Sequence, residues 1–503
     1  MKADITRSTY NKNKKYTKVN AQQGRVQLDA DWNEQLDIQE HFDRTMLRDI
    51  VGKTGTPLED SGFEIVPDVT AGFTIGKGRY YVDGIICENN SDNLNARKQE
   101  DLPFSKLFKE NSIFPKDDGY YVVYLDVWPR HITFLEDPGL LEVALGRTDT
   151  TTRTKNVWQV KTLKIDPTDV SKTLTNFESK ILRSTGKLRV RVKPKPVQSG
   201  YEPIITSGYS GDENRLYRVE IHSSGTLGTS KEGSVAPVFK WSRENAIVAA
   251  KILAVTCDPD NENKMSIVIE NSRKDDLYTF REDQWIEVTD DYYELWKIPG
   301  QILKIDDVED NAQENQSILQ VTVSPPYGTQ LLDYIADKGN YVSKNPKVRR
   351  WNTPDDKWSL LGYTKTLSTI RPDNDLKRAA DADGYIDLEE GIQLKFEAGN
   401  YVAGDYWLIP ARTITKNIEW PTVTTSSNLI EPEALPSMVE HHYCPLALLK
   451  YSKINDKSQL QVVCDYRNFF STATALNFYY VSGDGQKITP DNVFIDATSP
   501  GTP

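Results

Sequence analysis

Cysteine is scarce in this sequence, and long apolar runs are missing. The four cysteines, Cys87, Cys257, Cys444 and Cys464, lie far apart and form no Cys-x-x-Cys pair. This spacing argues against a zinc ribbon or a redox dithiol and favours buried free thiols. No apolar run approaches the roughly 20 residues that span a bilayer. The start, Met1-Lys2-Ala3-Asp4, leads into polar residues and not into the apolar core of a signal peptide. We therefore expect cytoplasmic synthesis and no membrane insertion.

Positive charge and methionine are also in short supply. The 61 Lys and Arg residues are outnumbered by 73 Asp and Glu, and the net charge of −12 argues against broad binding to nucleic-acid phosphates. Only 4 methionines accompany 25 tyrosines and 10 tryptophans, a balance that favours sheets over helical bundles. With 503 residues, the chain is long enough for several domains. We predict a mainly β, multi-domain protein with sandwich-like and barrel-like domains.

Hydrophobic patterning divides the chain into five parts. Tyr120–Val127 is apolar on both faces, as in a strand inside a sandwich or barrel, whereas residues 216–222 alternate like a half-exposed strand, with Arg218 and Glu220 on the wet face. We see no fixed-period repeat and no heptads. The predicted parts are an N-terminal arm and helix (1–52), a β-rich main domain (53–255) with a long loop at 166–214, a small inserted barrel (256–345), a third β-rich block (346–470) and a C-terminal strand and tail (471–503).

The N-terminal part combines a basic arm with an amphipathic helix. The first 25 residues carry seven Lys or Arg against Asp4 alone, which is typical of a solvated tail but would also suit an acidic partner. The spacing predicts a helix over residues 31–51, capped by Asp31 with Glu34 and ended by Gly52. Its apolar face is predicted to dock through Trp32 and through Ile38, Phe42, Met46 and Ile50, with His41 on the wet face. The surface it docks on is either the chain's own β-domain or a neighbouring subunit.

Several motifs resemble chemical sites without meeting their requirements. Gly52-Lys53-Thr54 lacks the preceding glycine of a phosphate-binding loop, because that position is Leu47 inside the helix. Residues 381–390 match six positions of a calcium loop, but Ala379 replaces the first carboxylate. His442 and Cys444 share one face of a strand, and two ligands are too few for zinc. We predict no catalytic residue, metal or cofactor.

Aromatic residues offer a different possibility. Trp351 and Trp407 are candidates for a stacking platform that binds sugars or for hot spots of a protein interface. Core packing is the more common role of such residues and is the favoured interpretation. These residues give two alternatives, a glycan-binding or host-attachment module and a carbohydrate-active enzyme, although the chain shows no Gly-x-Ser-x-Gly elbow.

The stretch QQGRVQLDADWNEQ at residues 22–35 is the most specific motif. Together with the segments at 4–10, 215–222, 239–245, 404–412 and 441–447, it resembles an uncharacterised family encoded with phage-tail-like contractile injection systems. The resemblance implies association with the particle, extracellular after lysis, and further β modules beginning near Tyr480. It brings no catalytic residue.

From this resemblance and the patterning of the N-terminal part we predict a non-enzymatic structural component at or around the baseplate or spike. Its partners would be other particle proteins (baseplate, spike, tube or sheath), and it would be multi-copy or homo-oligomeric in the assembly. The predicted interface residues are Arg7, Tyr10, Gln22, Gln23, Arg25, Trp32, Phe42 and Met46.

Overall fold

The fold is mainly β, as predicted, and is seen in a computed structural model. The structure describes residues 2–68, 72–103, 115, 117–165, 177, 181, 184–193, 208–228, 237–258, 260–270, 279–311, 313–323, 344–352, 365–366, 383–424, 430–432, 434, 439–454 and 457–471. Over these ranges the chain forms two α-helices, α1 (Asp29–Val51) and α2 (Asp291–Trp296). Short 3-10 helices occupy Lys12–Lys14, Ala96–Lys98, Pro138–Leu140 and Val143–Leu145.

The strands follow one another along the whole described chain. The first ten are β1 (Thr54–Pro57), β2 (Ile65–Asp68), β3 (Gly72–Ile75), β4 (Gly78–Val82), β5 (Ile85–Asn89), β6 (Leu94–Asn95), β7 (Gly119–Ile132), β8 (Leu141–Glu142), β9 (Thr148–Asp149) and β10 (Arg153–Ile165). The next ten are β11 (Leu188–Val192), β12 (Arg215–Ser223), β13 (Gly225–Leu227), β14 (Val238–Ser242), β15 (Ala249–Asp258), β16 (Asn261–Glu270), β17 (Trp285–Thr289), β18 (Gln301–Asn311), β19 (Gln316–Thr322) and β20 (Lys347–Trp351). The remaining strands are β21 (Lys365–Thr366), β22 (Ile386–Asp387), β23 (Ile392–Phe396), β24 (Gly399–Tyr401), β25 (Tyr406–Arg412), β26 (Asn417–Ile418), β27 (Thr422–Thr424), β28 (Ile430–Pro432), β29 (His442–Ile454), β30 (Lys457–Asp465) and β31 (Phe469–Phe470).

A first sandwich is built from both ends of the described β-rich region. One sheet has the order β10-β7-β29-β30, and it packs on the sheets β31-β1-β4-β5 and β2-β3-β6. Strand β7 is buried on both faces, as predicted, because Val123 and Leu125 enter the main core while Val122 enters a smaller one with Phe177. The long antiparallel ladder between β7 and β10 thereby forms the centre of this sandwich.

A second sandwich lies inside the first along the chain. The sheet β21-β14-β12-β25-β26 and the sheet β11-β23-β22 share a core that includes Val219, Trp241, Leu394 and Trp407. Strand β11 falls within the long loop predicted at 166–214, much of which lies outside the described residues. The loop prediction missed this strand because its partner, β23, lies about 200 residues away in sequence, as the pair Arg191 and Gln393 shows.

The closed barrel is the innermost unit. Its strand order is β15-β16-β19-β18-β17-β20, and its interior is filled by aliphatic side chains such as Ile267, Ile286 and Leu319. The barrel spans 249–351, whereas the sequence suggested 256–345. The three cores are therefore nested along the chain, and β29 in the predicted third block pairs with β7 in the predicted main domain. Residues 472–503, including the suggested start of a further module, lie outside the described residues.

Helix α1 precedes the first sandwich and packs on it through one side. It begins at Asp29, and its N-cap residue Leu28 makes no side-chain hydrogen bond, so the predicted capping box at Asp31 is wrong. The end is as predicted, because Gly52 adopts φ 90° and its N–H donates to the Arg48 carbonyl. Helix α1 sits on the β4–β5 turn, where a Cβ on Gly84 would lie 2.5 Å from the Arg44 carbonyl oxygen.

This close approach gives a first prediction. Gly84→Ala adds a methyl group where only 2.5 Å separate it from the Arg44 carbonyl oxygen, at a residue with φ +78°. Positive φ alone costs about 1–2 kcal/mol for a non-glycine residue. Because the added methyl group also clashes with the Arg44 carbonyl oxygen, we expect the unfolding free energy to fall by more than this amount. The α1 amides should also show faster hydrogen exchange.

Gly146→Ala is the matched control, because Gly146 has φ +72° and no atom within 4 Å of the added Cβ. Equal losses in the two variants, with unchanged exchange in α1, would contradict the tight seat of the helix.

Candidate functional site

The outward face of α1 is the most exposed apolar surface of the N-terminal part. Of the helix's 23 residues only Ala30 and Ile38 are buried, so Ile38 belongs to the packed side and not to the predicted outward stripe. Large apolar side chains on the other side remain open to solvent, with exposed fractions of 70% for Trp32, 53% for Leu36, 46% for Phe42, 55% for Met46 and 70% for Ile50. Exposed apolar surface of this kind is typical of interaction sites, so this row is the candidate functional surface.

A groove borders this row on one side. It has a volume of about 330 Å³ and lies between α1 and the β4–β5 turn. Leu36 and Arg44 form the helix wall, and Ile86 and Asn156 form part of the opposite wall. The apolar row is thus flanked by a concave edge made by the chain's own first sandwich.

The start of the basic arm is bound to the body of the protein. The Lys2 ammonium lies 2.9 Å from Glu220, and the Ala3 carbonyl accepts a hydrogen bond of 2.9 Å from the Asn245 amide. Arg7 lies 3.1 Å from Glu419. The sequence suggested that the arm could bind an acidic partner. For Lys2 and Arg7, the acidic groups that they contact belong to the same chain.

Further along, the arm binds α1 on its packed side. The Thr9 hydroxyl donates to Glu34 at 2.5 Å, and the Val19 N–H donates to Gln35 at 2.8 Å. The Tyr10 ring lies 6.1 Å from the His41 ring, and burial followed by the Asp37 charge raises the pKa of Tyr10. Among the predicted interface residues, Arg7 and Tyr10 are thus engaged within the chain. Gln22, Gln23, Arg25, Trp32, Phe42 and Met46 are exposed.

The N-terminal end of the arm, at Lys2, enters a buried ionic group. We name this group the arm-end cluster, and it is formed by Lys2, Arg218, Glu220, Lys240 and Glu287. Lys240 contacts both carboxylate oxygens of Glu287 at 2.6 Å, and Arg218 contacts Glu220 at 2.6 Å. The Trp351 indole N–H donates to Glu287 at 2.9 Å. Strand β12 was predicted to be half-exposed, but Arg218 and Glu220 are only 2% exposed, so that prediction is wrong. The barrel and the arm cover this polar face.

Electrostatics holds this cluster ionised. Burial favours the neutral acids, yet the surrounding cations outweigh it and bring the pKa of Glu287 to about 2 and that of Glu220 well below its usual range. Burial, with Lys240 nearby, lowers the pKa of His222 to about 4. Each carboxylate is therefore tied to a cation, and the arrangement fixes the arm and joins β12 and β14 to the barrel.

A second ionic cluster, Arg130, Glu136, Asp291, Glu294 and Lys347, joins the first sandwich to the barrel. Glu136, Asp291 and Glu294 each bring a carboxylate oxygen within 4.8 Å of the others, a spacing that also suits a metal ion. Arg130 contacts Asp291 at 2.5 Å and Glu294 at 3.0 Å, and Lys347 contacts Glu136 and Glu294. These two cations occupy the coordinating oxygens, so the cluster acts as an ionic joint.

The histidines at the start of β29 are held by separate carboxylates. His442 lies 2.9 Å from Asp83, and His441 lies 2.5 Å from Asp126. The Cys444 thiol contacts the Tyr80 hydroxyl at 3.6 Å, and burial raises the pKa of Cys444. A Cys–His nucleophile needs a lowered thiol pKa, so this geometry favours a structural corner.

The remaining sequence candidates are structural where they are described. Trp351 and Trp407 are each 2% exposed, so the stacking platform is wrong and core packing is confirmed. Of the calcium-like loop, residues 379–382 lie outside the described part, while Asp383 and Asp387 pair with Arg191 and Lys193. Ile50, which the predicted stripe included, is exposed and belongs to the open row. Leu36 is also exposed and belongs to the row, but the predicted stripe left it out.

Together the fold and this surface define a mainly β protein with three cores and a helix that presents an open apolar face. The chain belongs to a family described as "Family of unknown function (DUF6519)", whose model matches residues 1–189 and 179–476. No curated protein and no solved structure matches the chain. Within the described residues, neither helix is long and apolar enough to cross a bilayer.

The bound arm gives a second prediction. Lys2→Met removes the cation beside Glu220 while keeping much of the side-chain length. We expect a loss of about 1.5–3 kcal/mol of unfolding free energy, the range for a hydrogen bond to a charged group. Amides of residues 3–10 should exchange faster. Lys14→Met, at an exposed position of the same arm, is the control. Equal behaviour of the two variants would show that the arm end is not bound.

His222 gives a prediction for pH dependence. Its pKa in the folded chain is about 4, below the ordinary 6.5, so the unfolded chain binds the proton first as pH falls. Stability is therefore lost between pH 6.5 and about 4, by on the order of 3 kcal/mol. His222→Gln should remove this part of the slope in urea unfolding at pH 6.5, 5.5 and 4.5. Burial also lowers the pKa of His131 and of His441 to about 4, so the contributions of these two residues to the slope persist in the variant.

A wild-type slope in His222→Gln would contradict the assignment.

Proposed function

We propose that this protein is a non-enzymatic structural component of a phage-tail-like contractile injection particle, located at or around the baseplate or spike and attached through α1. The observation that carries the proposal is the open apolar row on α1. Burying apolar surface yields about 25 cal/mol per Å², so five large side chains left in water are a strong drive for association.

The position of the row supports the link to the particle. The motif at 22–35, which carries the resemblance to the injection-system family, covers the lead-in and the first turns of α1. Its large apolar residues, Val26, Leu28 and Trp32, are all more than half exposed. Packing within the chain therefore does not explain them, whereas a contact with a neighbouring polypeptide does.

The structure changes the part that the basic arm plays in this proposal. Lys2 and Arg7 are bound to Glu220 and Glu419 of the same chain, so the arm fixes α1 to the body and the helix makes the contact. The glycan-binding alternative depended on Trp351 and Trp407, and both rings are buried. These two rings therefore offer no surface for attachment to a glycan.

The test is entry into particles. In cells that make the particle, Trp32→Ser combined with Met46→Ser should reduce co-purification of the chain with sheath and tube proteins at least tenfold, which corresponds to about 1.4 kcal/mol of lost contact energy. The chain's amount in the lysate should stay the same.

Ile414→Ser is the matched control, since Ile414 is an apolar residue with 93% exposure that lies outside α1. Wild-type levels of the double variant in purified particles would overturn the attachment through α1, and absence of the wild-type chain from particles would overturn the function itself.

A further inference from the structure

The open face of α1 has the spacing of a helix-pairing seam. Its central residues are separated by alternating steps of four and three positions: Trp32, Leu36, Gln39, Asp43, Met46 and Ile50. Steps that alternate between four and three residues keep a row on one side of a helix, and the same alternation, repeated over whole heptads, is the spacing of coiled-coil seams. No heptads are predicted from the sequence, because this row is short and two of its six positions are polar.

The row is also symmetric about the level of His41. In an antiparallel pair of α1 helices centred there, Trp32 faces Ile50 of the other copy and Leu36 faces Met46. Each of these contacts occurs twice, as a two-fold axis requires of an isologous interface. Phe42, at the edge of the row, lies next to the axis in both copies.

The two polar residues select the antiparallel orientation. Within one chain the Gln39 amide donates to the Asp43 carboxylate at 2.8 Å, so donor and acceptor already lie side by side on this face. An antiparallel partner places its Asp43 opposite Gln39, which preserves an amide donor for each carboxylate. A parallel partner places Asp43 against Asp43, and two like charges in an apolar seam are unfavourable.

We propose that a second copy of this chain covers the open face, with the two α1 helices antiparallel across a two-fold axis near His41. This proposal rests on the proposed function, in which α1 contacts a neighbouring polypeptide, and it identifies that neighbour as a second copy of the chain. A specific interface of this kind is expected to cover at least about 1,000 Å² of surface in total. The arm holds α1 against the body, so the seam is presented by a fixed helix.

Cysteine cross-linking of the purified full-length chain tests the orientation. In a Cys464→Ser background, which removes an exposed thiol, Leu36→Cys and Met46→Cys are made separately. Under mild oxidation the mixture should give a disulfide-linked dimer, while each variant alone should not. Equivalent residues in an antiparallel pair lie about 15 Å apart along the axis, from a rise of 1.5 Å per residue, and a disulfide needs Cα atoms within about 7 Å.

Light scattering of the same chain tests the association. The wild type should be a dimer at micromolar concentration, and Met46→Glu, which sets a charge against Leu36, should raise the dissociation constant at least 100-fold with an unchanged circular dichroism spectrum. Ile414→Glu should remain dimeric. A monomeric wild type, or cross-linking of each single-cysteine variant by itself, would overturn the seam. Dimers that are missing from particles would overturn the proposed function alone, and monomers within particles would overturn the seam alone.

Discussion

The buried ion pair between Lys240 and Glu287 is the constraint on which the arrangement of the molecule depends. It joins β14 of the second sandwich to β17 of the barrel, and the adjacent Glu220 draws in Lys2 from the chain's start. A buried charge that loses its partner costs several kcal/mol, so each member of the arm-end cluster holds the others in place. Arg130 and Lys347 do the same between the first sandwich and the barrel. Ionic joints, as well as apolar cores, thus connect the three nested units.

These joints determine which surface stays open. Lys2 and Arg7 are bound to the body of the protein, so the conformational freedom of the arm that follows them is restricted. Thr9 and Val19 then bind the side chains of Glu34 and Gln35 on the helix. The helix is therefore fixed on one side and exposed on the other. A surface that is already ordered loses less conformational entropy on binding than a flexible tail does. In the proposed association, the basic arm would act by holding the helix in this fixed position.

Local patterns in the sequence predicted what depends on local physics. The doubly apolar Tyr120–Val127 segment is a doubly buried strand, Gly52 ends α1, and the short alternating runs after Ala249 close into a barrel. Features that depend on contacts between residues far apart in sequence were not predicted. The alternating sequence pattern places Arg218 and Glu220 on a solvent-exposed face, because Lys2 and the barrel, which cover them, are far away in sequence. For the same reason the pairing of β29 with β7, and the side of α1 that packs, needed the three-dimensional arrangement.

The amino-acid composition of the α1 seam bears on how strongly two copies would pair as free chains and within the proposed particle. Four apolar positions and a Gln39–Asp43 centre bury less apolar surface than a uniform leucine seam, since polar central positions specify register at the expense of stability. A seam of this kind has modest affinity between free chains. Its pairing becomes strong where copies are held close together, because tethering at one site supplies a millimolar effective concentration at the next. In the proposed particle, several copies would lie close together, so the pairing expected at micromolar concentration between free chains would be strengthened there.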